Sequence, residues 1–404
     1  MASAPSISVK SLQVAANAAS LLRFSVEEHM ASLSKIISCA VTASAFLTGF
    51  VLEAQAAEGD SIIKDRRIGY VTTQLHWTMY QTPGGKDECP QGLSPNGPRE
   101  IFKKLFPNLG PVAETQLSRE ALKMYPQDLG GNKFDYITVS GNIANGLNLD
   151  GRVDKDDFVS PEGVVGIDNA FYNVTGCNSQ FRSPEGQLQL FANKQIKGFG
   201  YNRILLEITE VDDLINDSDV TVTVYRGRDP LLLDASGEKI APGGTQRIDR
   251  RYGQKVIQKF KGRIDDGLLV SEAKDGMWPW QIFPGVPYSL QIHDMRFSMK
   301  LSPTSAKGLI AGYYNVDSLY KWLTSWSSHH LSYGQLEAPE FYWQTRKYAD
   351  AYPDAKGVMT AISSAITLDM AQVYIEHTTS KGPKIANVEP IDPETTQTAS
   401  NSKR

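Results

Sequence analysis

The sequence predicts a mainly β protein of the α+β class, a β-sandwich or jelly-roll-like core with a few flanking helices. Three observations carry this expectation. In residues 134–314, runs such as Ile204/Leu206/Ile208, Val220/Val222/Val224 and 288–301 are short, rich in β-branched and aromatic residues, and divided by Gly, Pro, Asn and Asp. Within them every second residue is apolar, the period of a strand with one buried face. Apolar residues at helical spacing are confined to short stretches outside that region.

The chain begins with an address. Residues 36–52 form an apolar run preceded by Lys35 and followed by Ala54-Gln55-Ala56. A positive head, an apolar stretch and small residues at a cut site make a secretory signal peptide. Residues 30–56 are therefore expected to be that peptide, cut after Ala56, with residues 1–29 an upstream extension. A retained anchor is disfavoured by Ser38, Thr42, Ser44 and Thr48 within the run, so no membrane span is expected after cleavage. The expected location is periplasmic or extracellular. The leader carries Lys10, Arg23 and Lys35 against Glu27, Glu28 and Glu53, so the net charge of −4 survives its removal. A mildly acidic surface offers no field to hold phosphate backbones, which disfavours nucleic acid.

Three regions are expected between the leader and the end: 57–133 with strand and helix, 134–314 as the β core, and 315–377 as helix and strand packed on that core. In the first, alternation over 68–80 predicts a strand with Val71, Thr73, Leu75, Trp77 and Met79 on one face. Pro98 is expected to open a short helix, and Ser118 to cap another. Within 288–301 the apolar set changes phase, from Tyr288, Leu290 and Ile292 to Met295, Phe297, Met299 and Leu301, which predicts a bulge at His293-Asp294. Asp317 is expected to cap a helix carrying Leu319, Leu323 and Trp326, and Pro339 to begin another with Phe341, Thr345 and Tyr348. Residues 361–376 fit either period, and their β-branched content favours a strand. Residues 378–404 are rich in Thr, Ser, Pro, Asn and charge, with little to bury, and predict a disordered tail.

Cysteine usage follows from export. Once Cys39 leaves with the leader, Cys89 and Cys177 remain in an oxidising compartment and are expected to pair. Such a bridge stabilises by about 4–5 kcal/mol in the chain-entropy model. No CxxC, CxxCH or Cys/His finger spacing is present, which disfavours haem and structural zinc.

Four sets of residues carry candidate chemistry. The stretch 148–158, NLDGRVDKDDF, resembles the calcium loop of EF-hands and dockerin repeats. With Gly151 at the turn, Asn148, Asp150, Asp154 and Asp157 supply side-chain oxygens and Arg152 a carbonyl, so calcium is the candidate cofactor. Gly146 stands where the first ligand belongs, and the last ligand is Asp instead of Glu; the competing expectation is an Asx-rich turn held by its own hydrogen bonds. His76, His293, His329 and His330 form a second candidate metal or polar site, since imidazole suits zinc and copper. Glu207, Glu210, Asp212, Asp213, Asp217 and Asp219 offer carboxylates to a hydrolase. Trp278 and Trp280, in a Pro/Gly-rich loop, are candidate ligand contacts. Seven basic residues between Arg247 and Arg263 are opposed only by Asp249 and would share a hairpin face.

The strings Asp87-Glu88-Cys89-Pro90-Gln91-Gly92, Gly166-Ile167-Asp168-Asn169 and 328–335 (SHHLSYGQ) resemble those of a family of uncharacterised exported proteobacterial proteins. The resemblance spans most of the mature chain, implies bacterial export and brings no activity or cofactor with it. Together these features predict an exported envelope protein that binds a ligand or partner, an envelope protein or a glycan, with a calcium-stiffened loop. The alternative is a periplasmic hydrolase dependent on metal or paired carboxylates, so the sequence leaves open whether the protein is an enzyme.

Overall fold

Alternation in the first strand sets the architecture. The computed structural model describes residues 63–80, 137–178, 181, 187–198, 202–281, 289–325 and 338–377. In chain order the elements begin with β1 (Arg67–Trp77), β2 (Phe158–Val159), β3 (Val165–Ile167), α1 (Phe171–Thr175) and α2 (Gln187–Gly198). They continue with β4 (Ile204–Thr209), β5 (Asp217–Arg226), β6 (Gly244–Arg247), β7 (Gln258–Asp265), β8 (Leu268–Ser271), β9 (Lys274–Trp278) and β10 (Leu290–Leu301). The last are β11 (Ser305–Asn315), α3 (Val316–Ser325), α4 (Ala338–Lys347), β12 (Ala351–Pro353) and β13 (Met359–Glu376).

The mainly β expectation holds, but the main sheet closes instead of dividing into two layers. Its order, β1–β4–β5–β7–β8–β10–β11–β13, returns to β1, giving an eight-stranded antiparallel barrel. Strands of a sandwich and of a barrel share the same one-sided alternation. What separates the two is the pairing of β1 with β13, whose residues Thr73 and Asp369 are hydrogen-bonded across 296 positions of sequence. Closure leaves the long strands without free edges. It also cuts across the three expected regions, because β1 comes from the first, β4 to β11 from the second and β13 from the third. Every described residue lies in one unit, 62–404.

Cross-strand register builds the interior row by row. Ile68 faces Ile208, which faces Val222, which faces Phe260. On the other side Phe297, Ile310, Ile366 and Trp77 form a second row. These belong to one continuous apolar cluster, and each such buried side chain contributes about 1.5–3 kcal/mol. Gly308 lets β10 and β11 coil tightly: a Cβ there would lie 2.1 Å from the Ser298 carbonyl oxygen.

Two bulges adjust the pattern. The phase change in β10 is met by a shift in register between His293 and Arg296, with Asp294 at φ 49, where the sequence predicts it. In β1 a second shift falls between Thr72 and Gln74. Ile68 and Tyr70 therefore point inward together with Leu75 and Trp77, while Val71 joins a small outer cluster with Leu205 and Val373. The expected common face for Val71 and Leu75 fails because one extra residue flips the side.

One end of the barrel is plugged by aromatics. Trp77 touches Phe171, Trp280 and Tyr314 at ring distances of 5.0–5.6 Å, and Trp280 meets Trp322 of α3. In α4, Phe341 and Thr345 are fully buried, as its apolar spacing predicts. Helix α3 starts two residues earlier than expected: the Asn315 side-chain oxygen accepts the Ser318 amide and caps it, leaving Asp317 in the first turn. Residues 361–376 are strand, inside the 18-residue β13. The expected helices after Pro98 and Ser118, and the tail from 378, lie outside the described residues. Among the described residues no helix is long and apolar enough to cross a membrane.

Candidate functional site

Because alternate side chains of a closed strand face outward, β10, β11 and β13 also build an outer wall. Their register puts His293, Tyr313 and Ser363 in one row on that wall. The segment 147–169 lies over it, its Leu149 packed with Ala311, Tyr313, Ala361 and Ala365. Gly166 permits this fold of the segment: its φ is +79, and a Cβ would fall 2.6 Å from the Arg152 carbonyl oxygen and from Asn148 Nδ2.

Two carboxyls lie where the segment meets the wall, Asp168 in the segment and Asp350 on the barrel. Asp168 follows β3 and is 8% exposed; its Oδ2 accepts the Leu149 amide at 2.5 Å and the Asp150 amide at 3.4 Å. Asp350, just before β12, accepts the Ser363 amide at 2.8 Å and the Ser363 hydroxyl at 2.5 Å. Ser363 is fully buried and in turn accepts the Ala170 amide at 2.9 Å. Burial raises the Asp168 carboxyl to about 6, opposed by its hydrogen bond from Leu149 and reinforced by the charges of Asp150 and Asp157. Desolvation likewise raises Asp350 to about 6, with Asp168 adding to the rise. The two acids therefore titrate as interacting groups.

Tyr313 lies close enough to feel both charges. It is 7% exposed, and its phenol is pushed up by burial first, then by the charges of Asp168, Asp350 and Asp150. Its hydroxyl makes no hydrogen bond to a described residue and keeps access to solvent, so water or a ligand can meet it. Beside it the Tyr352 ring packs edge-on at 5.9 Å and lies over His293 at 4.6 Å. His293 is hydrogen-bonded to Asp275 at 3.1 Å, and the Tyr352 hydroxyl donates to Asp294 at 2.8 Å. The arrangement offers carboxyl oxygens, one phenol and an aromatic wall in one place.

The residues singled out in the sequence are distributed as follows. Loop 148–157 is held by its own groups: Asn148 Oδ1 accepts the Gly151 amide, Asp150 Oδ1 the Arg152 amide, and Asp157 Oδ2 the Asp154 amide. The Arg152 carbonyl accepts from Asn148 Nδ2, and the Arg152 guanidinium bridges Asp150 at 2.7 Å and Asp154 at 3.4 Å. Among the described residues no three His, Cys, Asp or Glu side chains come together to hold a metal. His76 faces Thr367 while His293 is in the row of Ser363, three strands away. That separation is about 14 Å across the strands and about 13 Å along them, so the structure does not bring them together; His329 and His330 lie outside the described residues.

Trp278 and Trp280 are 0% and 3% exposed. The expected surface role is corrected, because both indoles pack into the core and the aromatic plug instead of facing solvent. The acidic residues 207–219 are also separated. Glu207 is buried and accepts from Tyr225 at 3.1 Å and pairs with His377 at 2.7 Å. Glu210 and Asp219 pair with Lys261, and Asp212 with Arg66. The expected basic face is likewise divided, with Arg247 on Asp229 and Arg251 on Asp249. Cys177 is buried, and Cys89 lies outside the described residues.

Sequence reasoning missed Asp350 and Tyr313, which no motif marks. Asp168 stood in the string Gly166-Ile167-Asp168-Asn169 without a role. Its neighbour Asn169 donates to the carbonyls of Thr78 and Asn145 and locks the segment to the barrel end. Compared with protein-family models, curated proteins and solved structures, the chain matches none.

Proposed function

We propose that this chain is an exported envelope barrel that binds a ligand or partner on its outer wall, at Asp168, Asp350 and Tyr313. The observation that carries this reading is the Tyr313 side chain, 7% exposed, whose hydroxyl has no partner among the described residues and stays open to solvent near two carboxyls, while the barrel interior is filled by its own side chains. Thermal shift against soluble oligosaccharides, amines and divalent cations tests it with wild type and Tyr313→Phe. At least one class raises the wild-type melting temperature and fails to raise that of the variant. If no class distinguishes the two proteins, the outer-wall site is refuted. For export, N-terminal sequencing of the native protein is expected to begin at Ala57 in the periplasmic or extracellular fraction; an intact leader in the cytosol overturns it.

A calcium-stiffened 148–157 loop belongs to the same proposal. There the ion competes with the Arg152 guanidinium for Asp150 and Asp154. Millimolar calcium therefore raises the melting temperature of Arg152→Gln more than that of wild type, and equal responses, or none in either, remove calcium from the loop. The hydrolase alternative draws support from one feature, two interacting carboxyls both held near 6, a range suited to proton transfer at neutral pH. Hydrolysis of nitrophenyl glycosides or esters that Asp168→Asn abolishes would establish it.

A further inference from the structure

On the reading that the outer wall is a binding site, we propose that it receives a primary ammonium group, so that the ligand is an organic amine. Three groups at the wall keep acceptor capacity open to a ligand. Asp168 uses only its Oδ2 toward the backbone of Leu149 and Asp150, so Oδ1 takes no donor from a described residue. Asp350 accepts the Ser363 amide on Oδ1 and the Ser363 hydroxyl on Oδ2, which leaves further lone pairs on each oxygen. Tyr313 adds a phenolic oxygen without a partner. An ammonium carries three donors and no acceptor, which matches two carboxyl groups and one phenol oxygen converging from three elements. A neutral sugar hydroxyl brings an acceptor with every donor and leaves part of this demand unmet.

Charge leads to the same class. Arg152 is committed to Asp150 and Asp154, and among the described residues neither Asp168 nor Asp350 has an ion-pair partner. Arg296 acts on Tyr313 from β10 but directs its Nε to the Asp294 carbonyl. A bound cation supplies the missing counter-charge. The flank suits an organic cation better than a metal: the Tyr352 ring is 38% exposed, and Val358 and Met359 in the same hairpin are 51% and 38% exposed. An aromatic face attracts an ammonium, and its apolar neighbours cover an alkyl chain.

Isothermal titration of the full chain with hexylamine, and with 1-hexanol, calcium chloride and a neutral oligosaccharide as comparisons, tests this. Hexylamine is expected to bind at pH 7.5, whereas 1-hexanol does not. Protonation of Asp168 and Asp350, faced by Asp150, Asp157, Arg152, Arg296 and Tyr313, weakens hexylamine about tenfold at pH 5. Tyr313→Phe weakens it several-fold with the melting temperature little changed, which separates recognition from folding, and Asp350→Asn weakens it further. No heat from hexylamine, or equal heat from wild type and Tyr313→Phe, overturns the amine. Tyr313-dependent binding of the oligosaccharide or calcium in its place keeps the outer-wall site and overturns the amine alone. Failure of all four probes to distinguish wild type from Tyr313→Phe counts against both.

Discussion

Replacing Asp168 by Asn isolates the energetic consequence of burying an acid on the outer wall. In the folded chain this carboxyl titrates near 6, against about 3.9 in an unfolded chain. A group whose folded value is raised holds its proton more tightly when folded, so it favours the native state at low pH and opposes it once ionised. The stability is therefore present below about pH 4 and is lost as pH rises through 6. A rise from 3.9 to 6 corresponds to about 3 kcal/mol at most, and screening by the solvent that reaches the loop leaves about 1–2 kcal/mol. Asparagine keeps an oxygen for the Leu149 amide but has no charge to lose. The stability difference between Asp168→Asn and wild type should thus move by about 1–2 kcal/mol in favour of the variant between pH 4 and pH 7.5. Urea unfolding at both values measures it, and melting curves should show the wild type falling by roughly 2–6 °C more than the variant. Interaction with Asp350 is read from the double variant Asp168→Asn/Asp350→Asn, whose pH dependence is flatter still. A wild-type stability that is flat over this window, or a variant with the same slope, refutes the assignment of these buried acids.

Further outcomes follow from the same geometry. His377→Ala leaves the buried Glu207 carboxylate with Tyr225 alone, which should cost about 1–3 kcal/mol by urea unfolding at neutral pH; an unchanged midpoint would show that water replaces the imidazole freely. Gly308→Val forces a side chain onto the Ser298 carbonyl and should cost about 3 kcal/mol or more. Gly198→Ala, which meets nothing within 4 Å, should change stability by less than about 1 kcal/mol; similar losses at the two glycines would remove the coiling argument. Non-reducing peptide mass spectrometry of the native protein should find Cys89 and Cys177 joined, and two free thiols would defeat that pairing.

Much of the fold was legible because its signals are local. Strand periods in β4, β5 and β10 needed only neighbouring residues, and the bulge at His293-Asp294 was visible as a slip in the apolar phase. A second slip, in β1, was hidden because Val71, Thr72 and Thr73 suit either face of a strand. Loop 148–157 was legible as an oxygen-rich turn, but the direction of the Arg152 side chain was not. That side chain sits on Asp150 and Asp154, the carboxylates a calcium ion would use.

By itself the sequence determined composition, charge, strand period and the Asx-rich turn, since each depends on residues a few positions apart. Tertiary structure alone decided that the sheet closes, that Trp278 and Trp280 go inside, and that Asp168, Tyr313 and Asp350 share a wall. The reason is physical: alternation says that a strand has two faces, but not what lies across from it. Pairing of β1 with β13, over nearly the whole described chain, supplies that information. Only the closed barrel turns Tyr313 outward beneath the 147–169 segment and places two acids where burial can hold their protons.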